Sequence, residues 1–310
     1  MKNICELLGI KYPIIQGGMA NIADSRLASA VSNAGGLGLI SAGGNDGEWL
    51  ANEIRKCKRL TNKPFGVNIM LLSPFVQEIA QVVIKEGVQV VTTGAGNPAQ
   101  YIEKWKKAGI VVLPVVASVA LAKRVERSGA NGVIVEGTEA GGHIGELTTM
   151  ALLPQVADNV GIPVIAAGGI ADRRQVLAAF ILGAKGVQCG TLFLTAEECP
   201  VHNNYKNFII NARDTDTTVT GRGIGVPVRV LKNQMSREYN KMSAVGTTPE
   251  ELEKLTLGSL RRAVIDGNLE KGSFMAGQVS GMLTTIKPVE IIIKELFENI
   301  NKLKENVQVI

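Results

Sequence analysis

The sequence predicts an α/β chain closed into a TIM-type (β/α)8 barrel, with an inserted lid or substrate region after the eighth strand. Three observations predict it: eight short β-branched runs, seven helix-forming stretches between them, and more than 100 residues left over beyond Thr195. Strands covered by helices on one face and by a packed barrel interior on the other read as continuous apolar runs, and these do. An open flavodoxin-like or Rossmann-like sheet is the alternative; eight strands with seven intervening helices fit the closed barrel better.

In chain order the strands are YPIIQGG from Tyr12, LGLIS from Leu37, PFGVNIM from Pro64, VQVVTTG from Val88, IVVLPVV from Ile110, GVIVEG from Gly132, IPVIAAGG from Ile162 and GVQCGT from Gly186. The stretches between them are rich in helix formers. In one of them Val76, Ile79, Ala80, Val83 and Ile84 recur on a single face, as a helix lying on a sheet requires. Gly87, Gly109, Gly129, Gly161 and Gly183 stand where helices should stop, and glycine suits the left-handed turn that ends a helix.

Beyond the eighth strand the rhythm breaks. Thr248 can cap a helix begun by Pro249, and the apolar stretch from Lys287, KPVEIIIKELFENI, is expected to return to the wall as the eighth helix. The expected division is a barrel over 1–200, an insert over 201–280 on the active-site side, and a returning C-terminal helix over 281–310.

Composition narrows the function. The four cysteines, Cys5, Cys57, Cys189 and Cys199, lack a C-x-x-C pair, and two histidines are too few for a zinc site, so separate reduced thiols and no metal are expected. Cys189, inside a strand, reads as a small core residue. A net charge of +5 without a block of Lys/Arg argues against nucleic acid and weakly favours an acidic partner or a phosphorylated ligand. No 18-residue apolar run occurs, and MKNICELLGIKYP lacks the apolar core of a secretory signal; no membrane partner and a cytoplasmic location are expected.

Ligands of such barrels bind at the C-terminal ends of the strands. Gly168 and Gly169 stand at the seventh mouth before a helix, and Gly190 with Thr191 at the eighth. Turns without side chains expose backbone N–H groups, and a helix N-terminus adds its positive end, so this corner can hold a phosphate. The phosphate could belong to a sugar phosphate, a nucleotide or a flavin. At the first mouth, QGGMAN, Gly17 and Gly18 let the backbone approach a flat ring where Met19 can pack, and Asn68 offers an amide. GGLGLISAGG and GRGIGVP miss the G-x-G-x-x-G spacing, and no P-loop occurs.

The motifs PIIQGGM, FGVN, VEGTEAGGHIG, PVIAAGGI and GVQCGTLFL resemble the FMN-dependent family that comprises the nitronate monooxygenases and the flavoprotein type II enoyl-acyl-carrier-protein reductase. The likeness spans essentially the whole chain, including the closing GSFMAGQVSGMLTTIKPVEII. GTEAGGHIGELTT and the region after Asn203 are more similar to the reductase. The resemblance implies FMN, with contacts at Gly18, Met19, Asn68, Glu136, Gly141, Gly168, Gly169, Gly190 and Thr191, and His143 as the active-site group. Glu136 could bond the ribityl chain or serve as an acceptor for loop N–H groups.

A histidine can hold or deliver a proton near neutrality. Gly141, Gly142 and Gly145 would let its loop fold over the ring, with Glu139 or Glu146 as candidates to orient it. The resemblance further implies NADH or NADPH as reductant, an acyl-carrier protein bearing the enoyl thioester as partner, and a homodimer; it leaves a monovalent cation open. The alternative activity is oxidation of alkyl nitronates with FMN and oxygen. In the insert, Lys206, Arg213, Arg222, Arg229, Lys232, Arg237 and Lys241 outnumber Asp214, Asp216 and Glu238, so a basic face for NADPH or the carrier protein is expected there, against the plainer reading of an ordinary solvated face.

Overall fold

A computed structural model describes residues 3–305. Asn3 begins the first helix, α1 (Ile4–Leu8), by accepting from Cys5 N, and Gly9 at φ +66° ends it. Ile4 and Leu8 join the apolar cluster of the barrel interior, so α1 belongs to the core.

The strands are β1 (Ile14–Gln16), β2 (Gly38–Ser41), β3 (Phe65–Met70), β4 (Val90–Gly94), β5 (Val111–Val116), β6 (Val133–Glu136), β7 (Gly142–His143), β8 (Val164–Ala167), β9 (Gly186–Cys189), β10 (Thr217–Thr220) and β11 (Val228–Leu231). Eight run parallel in the order β1-β9-β8-β6-β5-β4-β3-β2. An Ile15–Leu37 bridge and two backbone bonds, Gln16 N to Leu37 O and Leu37 N to Ile14 O, both 2.9 Å, join β1 to β2 and close the ring. Buried Gln16 tightens this seam by accepting from Leu39 N at 3.0 Å. The expected barrel is present, with its seventh and eighth strands now β8 and β9.

Alternation along each strand sorts residues into two cores. Ile15, Leu37, Leu39, Val90, Leu113, Ile134, Ile165 and Ala167 fill the lumen, while Ile14, Ile40, Val67, Val91, Val112 and Val135 face the helices. The helices between the strands are α2 (Ser25–Asn33), α3 (Gly47–Leu60), α4 (Val76–Lys85), α5 (Ala99–Lys107), α6 (Val119–Arg127), α7 (Thr149–Ala157) and α8 (Arg173–Ile181). Asp24, Asp46, Ser118 and Asp172 cap their helices with side-chain acceptors. On α4, Ile79, Ala80 and Val83 are buried as expected, but Ile84, at the helix end, is 37% exposed.

Gly87, Gly109, Gly129 and Gly183 follow helices at positive φ. Gly161 does not: α7 ends at Ala157 with Asp158 as its cap, so this glycine lies in the loop beyond.

After β9 come α9 (Thr191–Leu194), α10 (Asn203–Ile210), α11 (Gln234–Ala244), α12 (Pro249–Thr256), α13 (Ser259–Val264), α14 (Val289–Phe297) and α15 (Ile300–Glu305). Thr248 and Glu251 form the capping box that opens α12. Helix α14 packs between α2 and α8, the eighth wall position. Residues 306–310 of the expected C-terminal helix region lie outside the described residues.

Within the insert, β10 and β11 pair antiparallel, and β11 takes β7 as its other neighbour. Phe274, fully buried, meets Tyr205 and Phe208 edge-on and anchors α10 beneath this sheet. Truncating it to alanine would cost about 3–5 kcal/mol.

Candidate functional site

Strand register builds a polar layer on top of the apolar lumen. Ser41, Asn68 and Thr92 are paired across β2, β3 and β4, each two residues beyond a lumen position. Glu136, Ala167 and Gln188 are paired across β6, β8 and β9 in the same way. The small Ala167 leaves room between the carboxyl and the amide.

Two groups in this layer lack partners. Gln188 Oε1 is buried without a hydrogen bond. Glu136 keeps some exposure as a residue, yet burial of its carboxyl pushes its pKa up to about 7. Buried polar atoms are normally satisfied, so the orphaned acceptor points to a hydrogen-bond donor supplied by a ligand. Gln188 was missed from the sequence, although its place two residues past a lumen position was a usable signal.

The glycines of the mouth have definite reasons. A Cβ on Gly18 would overlap the Asn68 side chain, whose Nδ2 donates to Thr92 Oγ1 at 2.9 Å. A Cβ on Gly190 would stand 3.9 Å from Met19 Sδ, so the first and eighth mouths converge on one edge. Gly168 (φ +89°) and Gly169 (φ +74°) make the turn after β8, with Gly168 packed on the Gly137 backbone.

The free backbone N–H groups at this corner do not come from the helix that was expected to supply them. Helix α8 begins with Asp172, whose carboxylate already accepts from Arg174 N and Gln175 N. A phosphate there would meet a like charge. The short helix α9, after β9, starts at Gly190 without any side-chain cap. The Gly168–Gly169 turn and the uncapped start of α9 thus meet at one corner of the mouth, an arrangement of loops and a short extra helix of the kind that barrels use for phosphates. Thr191, buried here, accepts from Gly277 N at 2.9 Å and ties the corner to the C-terminal segment.

His143 sits on β7, opposite Val228, and Ile144 N donates to Pro227 O at 3.1 Å. The loop over the mouth is thus the third strand of the insert's sheet, which the sequence did not reveal. The side chain is exposed toward solvent, while nearby protein still strips enough water to lower the imidazole pKa below its ordinary value. Gly142 turns at φ +78°, and a Cβ on Gly141 would press on Ala276 Cα and the Gly277 backbone at 2.7–2.8 Å. Gly141 thus has a packing role against the C-terminal segment.

Neither glutamate orients the histidine. Glu139 accepts from Thr149 N at 2.9 Å, and the Thr149 hydroxyl donates to Gly168 O at 2.9 Å. Through Thr149, Glu139 braces the turn after β8 instead. Glu146 pairs with Arg222 at 3.0 Å.

The basic face is also smaller than the count of charges suggested. Lys206 is buried on Ala196 O and Glu197 O, Arg229 is buried on Thr138 O and Thr217 Oγ1, Arg213 pairs with Asp216, and Lys232 caps Thr215 O. Cys189 is a core residue as expected, its thiol pushed up to about 12 by burial. Among the described residues no cluster of His, Cys, Asp or Glu could hold a metal ion, and no helix is long and apolar enough to cross a membrane.

A closed α/β barrel with a glycine-lined mouth, a polar layer above its lumen and a histidine beside it has the architecture of barrel enzymes. Residues 2–299 match the nitronate monooxygenase family, and the chain belongs to that family of flavoprotein oxidoreductases. The structure of FabK from Thermotoga maritima is similar at TM-score 0.95, with 48% identity over 99% of both chains. A Mycobacterium tuberculosis (3aS,4S,5R,7aS)-5-hydroxy-7a-methyl-1-oxo-octahydro-1H-indene-4-carboxyl-CoA dehydrogenase is 35% identical over 96% of this chain and 94% of its own. A probable nitronate monooxygenase of Staphylococcus aureus is 33% identical over 97% and 98% respectively.

Proposed function

We propose that this chain is an FMN-dependent enoyl-acyl-carrier-protein reductase that uses NADH or NADPH to reduce trans-2-enoyl thioesters in fatty-acid elongation. The observation that carries this choice is the full-length likeness to FabK at 48% identity, since FabK stands in the reductase branch that the sequence motifs resemble. The carboxyl-CoA relative adds a thioester-bearing substrate to the same family. Nitronate oxidation is the second reading, supported by the lower likeness to the staphylococcal protein.

The residues present fit FMN. Gln188 Oε1 is an acceptor awaiting a donor, Gly18 brings the backbone of the first mouth directly against Asn68, and Gly169, Gly190 and Thr191 would frame the phosphate. When bound, FMN would carry hydride from the nicotinamide to Cβ of the thioester. Asn68 and Gln188 would hold the edge of the ring and Met19 would pack against it. Glu136, with its raised pKa, would bond as a neutral or charged group near pH 7.

His143 would give the proton to Cα. Because its imidazole is held below the ordinary range, it is mostly neutral at pH 7 in the free chain, and proton delivery should weaken as pH rises. The division into barrel 1–200, substrate region 201–280 and closing helix from 281 follows this reading, as do the acyl-carrier protein as partner, the homodimer and the cytoplasmic location. A visible-range titration with FMN tests the cofactor: saturable quenching of flavin fluorescence at one FMN per chain is expected, and no binding would remove the proposal.

A further inference from the structure

We infer that Arg229 is a positioning residue for His143, holding the loop after β6 so that the imidazole is aimed across the mouth. This rests on the proposed role of His143. Its loop is poor in fixed conformation: Gly137, Gly141, Gly142 and Gly145 all fall between β6 and α7, and Gly142 is in the left-handed region. Ordering such a stretch is entropically costly, so strong contacts must hold it.

Beside the main-chain ladder between β7 and β11, three side-chain contacts do so, and they differ in kind. Glu139 holds the start of α7 and the phosphate corner, away from the histidine. Arg222 and Glu146 pair at the surface, with side chains 50% and 75% exposed, where an ion pair contributes little. Arg229 is the buried contact, only 6% exposed.

Its Nε donates to Thr138 O at 3.0 Å and its Nη1 to Thr217 Oγ1 at 3.2 Å. In the β7–β11 ladder it lies opposite Gly142, while its neighbour Val228 lies opposite His143. The side chain thus links the root of the loop to strand β10, while the Arg229 main chain pairs with the glycine turn. Among the described residues Arg229 forms no ion pair, so its charge is directed at neutral oxygens. Such charge-assisted bonds are stronger than neutral ones. The planar fork reaches two acceptors at once, which a lysine ammonium at the same place does less well.

The test combines hydrogen exchange with a double-mutant cycle on the FMN-loaded chain. Arg229→Met should speed amide exchange at residues 138–144 and slow flavin reoxidation by crotonyl thioester by about 10- to 100-fold, the scale of a small misplacement of a reacting group. FMN content and flavin reduction by NADH or NADPH should stay as in the parent. Arg229→Lys should recover part of the loss. On a His143→Ala background, Arg229→Met should slow reoxidation by less than about twofold, because the group it positions is gone.

Equal slowing with and without His143, or unchanged exchange and reoxidation in Arg229→Met, would overturn the inference while leaving His143 in its role. If His143→Ala alone left reoxidation unchanged, the reading of His143 would fail first, and this inference with it. Should Arg229→Met not fold, Arg229→Lys combined with Thr217→Val makes the same comparison with milder changes.

Discussion

His143 lies directly opposite Val228 in an antiparallel ladder, so the histidine at the barrel mouth is held by a strand that arrives 85 residues later in the chain. The insert therefore fixes the strand that carries this histidine. Substitutions in β11 should alter the chemistry at His143 without touching the phosphate corner.

His143→Ala should separate the two halves of the reaction. Stopped-flow traces are expected to show flavin reduction by NADH or NADPH near the parental rate and reoxidation by an enoyl thioester slowed about 100- to 1,000-fold, the usual contribution of a placed acid. In the parent, kcat/KM for the thioester should decline as pH rises through a value below 6.5, since burial lowers the imidazole pKa and the protonated form is lost early. Slowing of the nicotinamide step alone would make His143 a nicotinamide-positioning group.

The phosphate corner is best probed at Gly190. Gly169 has φ +74°, where any side chain is strained, so Gly169→Asp mixes strain with charge. Gly190 has φ −104°, which other residues adopt, and its only near neighbour is Met19 Sδ. Gly190→Asp should place a carboxylate at the start of α9 and weaken FMN binding by about 100-fold or more while the melting temperature stays near the parental value. Unchanged affinity in equilibrium dialysis would put the phosphate elsewhere.

Glu136 makes the fold itself sensitive to pH. Its folded pKa, about 7, is raised above the ordinary value of 4.5, so its contribution is full below pH 4.5 and is lost as pH rises through 7. The FMN-free chain should melt lower at pH 8 than at pH 5, and Glu136→Gln should remove on the order of 5 °C of that difference. A parallel pH profile in the two proteins would show that the carboxyl is solvated.

The barrel was legible because its signal repeats: eight apolar runs and glycine stops at Gly87, Gly109, Gly129 and Gly183 each point the same way. Gly18, Gly169 and Gly190 were legible as mouth glycines because strand ends fix their place. What pairs with His143 was not, since β7 has two residues and its partner in β11 lies far along the chain. Charges were misleading for a related reason. Lys206 and Arg229 read as basic surface, yet both are buried on carbonyl oxygens whose positions depend on long-range packing. Glu139 and Glu146 flank the histidine in sequence, but the loop on either side of the two-residue β7 carries them to Thr149 and Arg222.

Thiol chemistry gives an independent check on the core. Burial pushes Cys57 and Cys189 up to about 12 and Cys199 up to about 11, so these three should resist a thiol reagent at pH 8 until the chain is denatured. Cys5 is the half-buried one. Rapid modification of more than one thiol in the native protein would contradict the packing described.

The central claim, enoyl thioester reduction through FMN, is tested most directly by one anaerobic experiment. The FMN-loaded chain is reduced with NADH or NADPH and then mixed with crotonyl thioester, while a matched oxidised sample receives an alkyl nitronate. Rapid return of the oxidised flavin spectrum with crotonyl thioester, and far slower reduction by the nitronate, is predicted. No reoxidation by the thioester, together with fast flavin reduction by the nitronate and oxygen-dependent turnover, would contradict the claim and make the chain a nitronate monooxygenase.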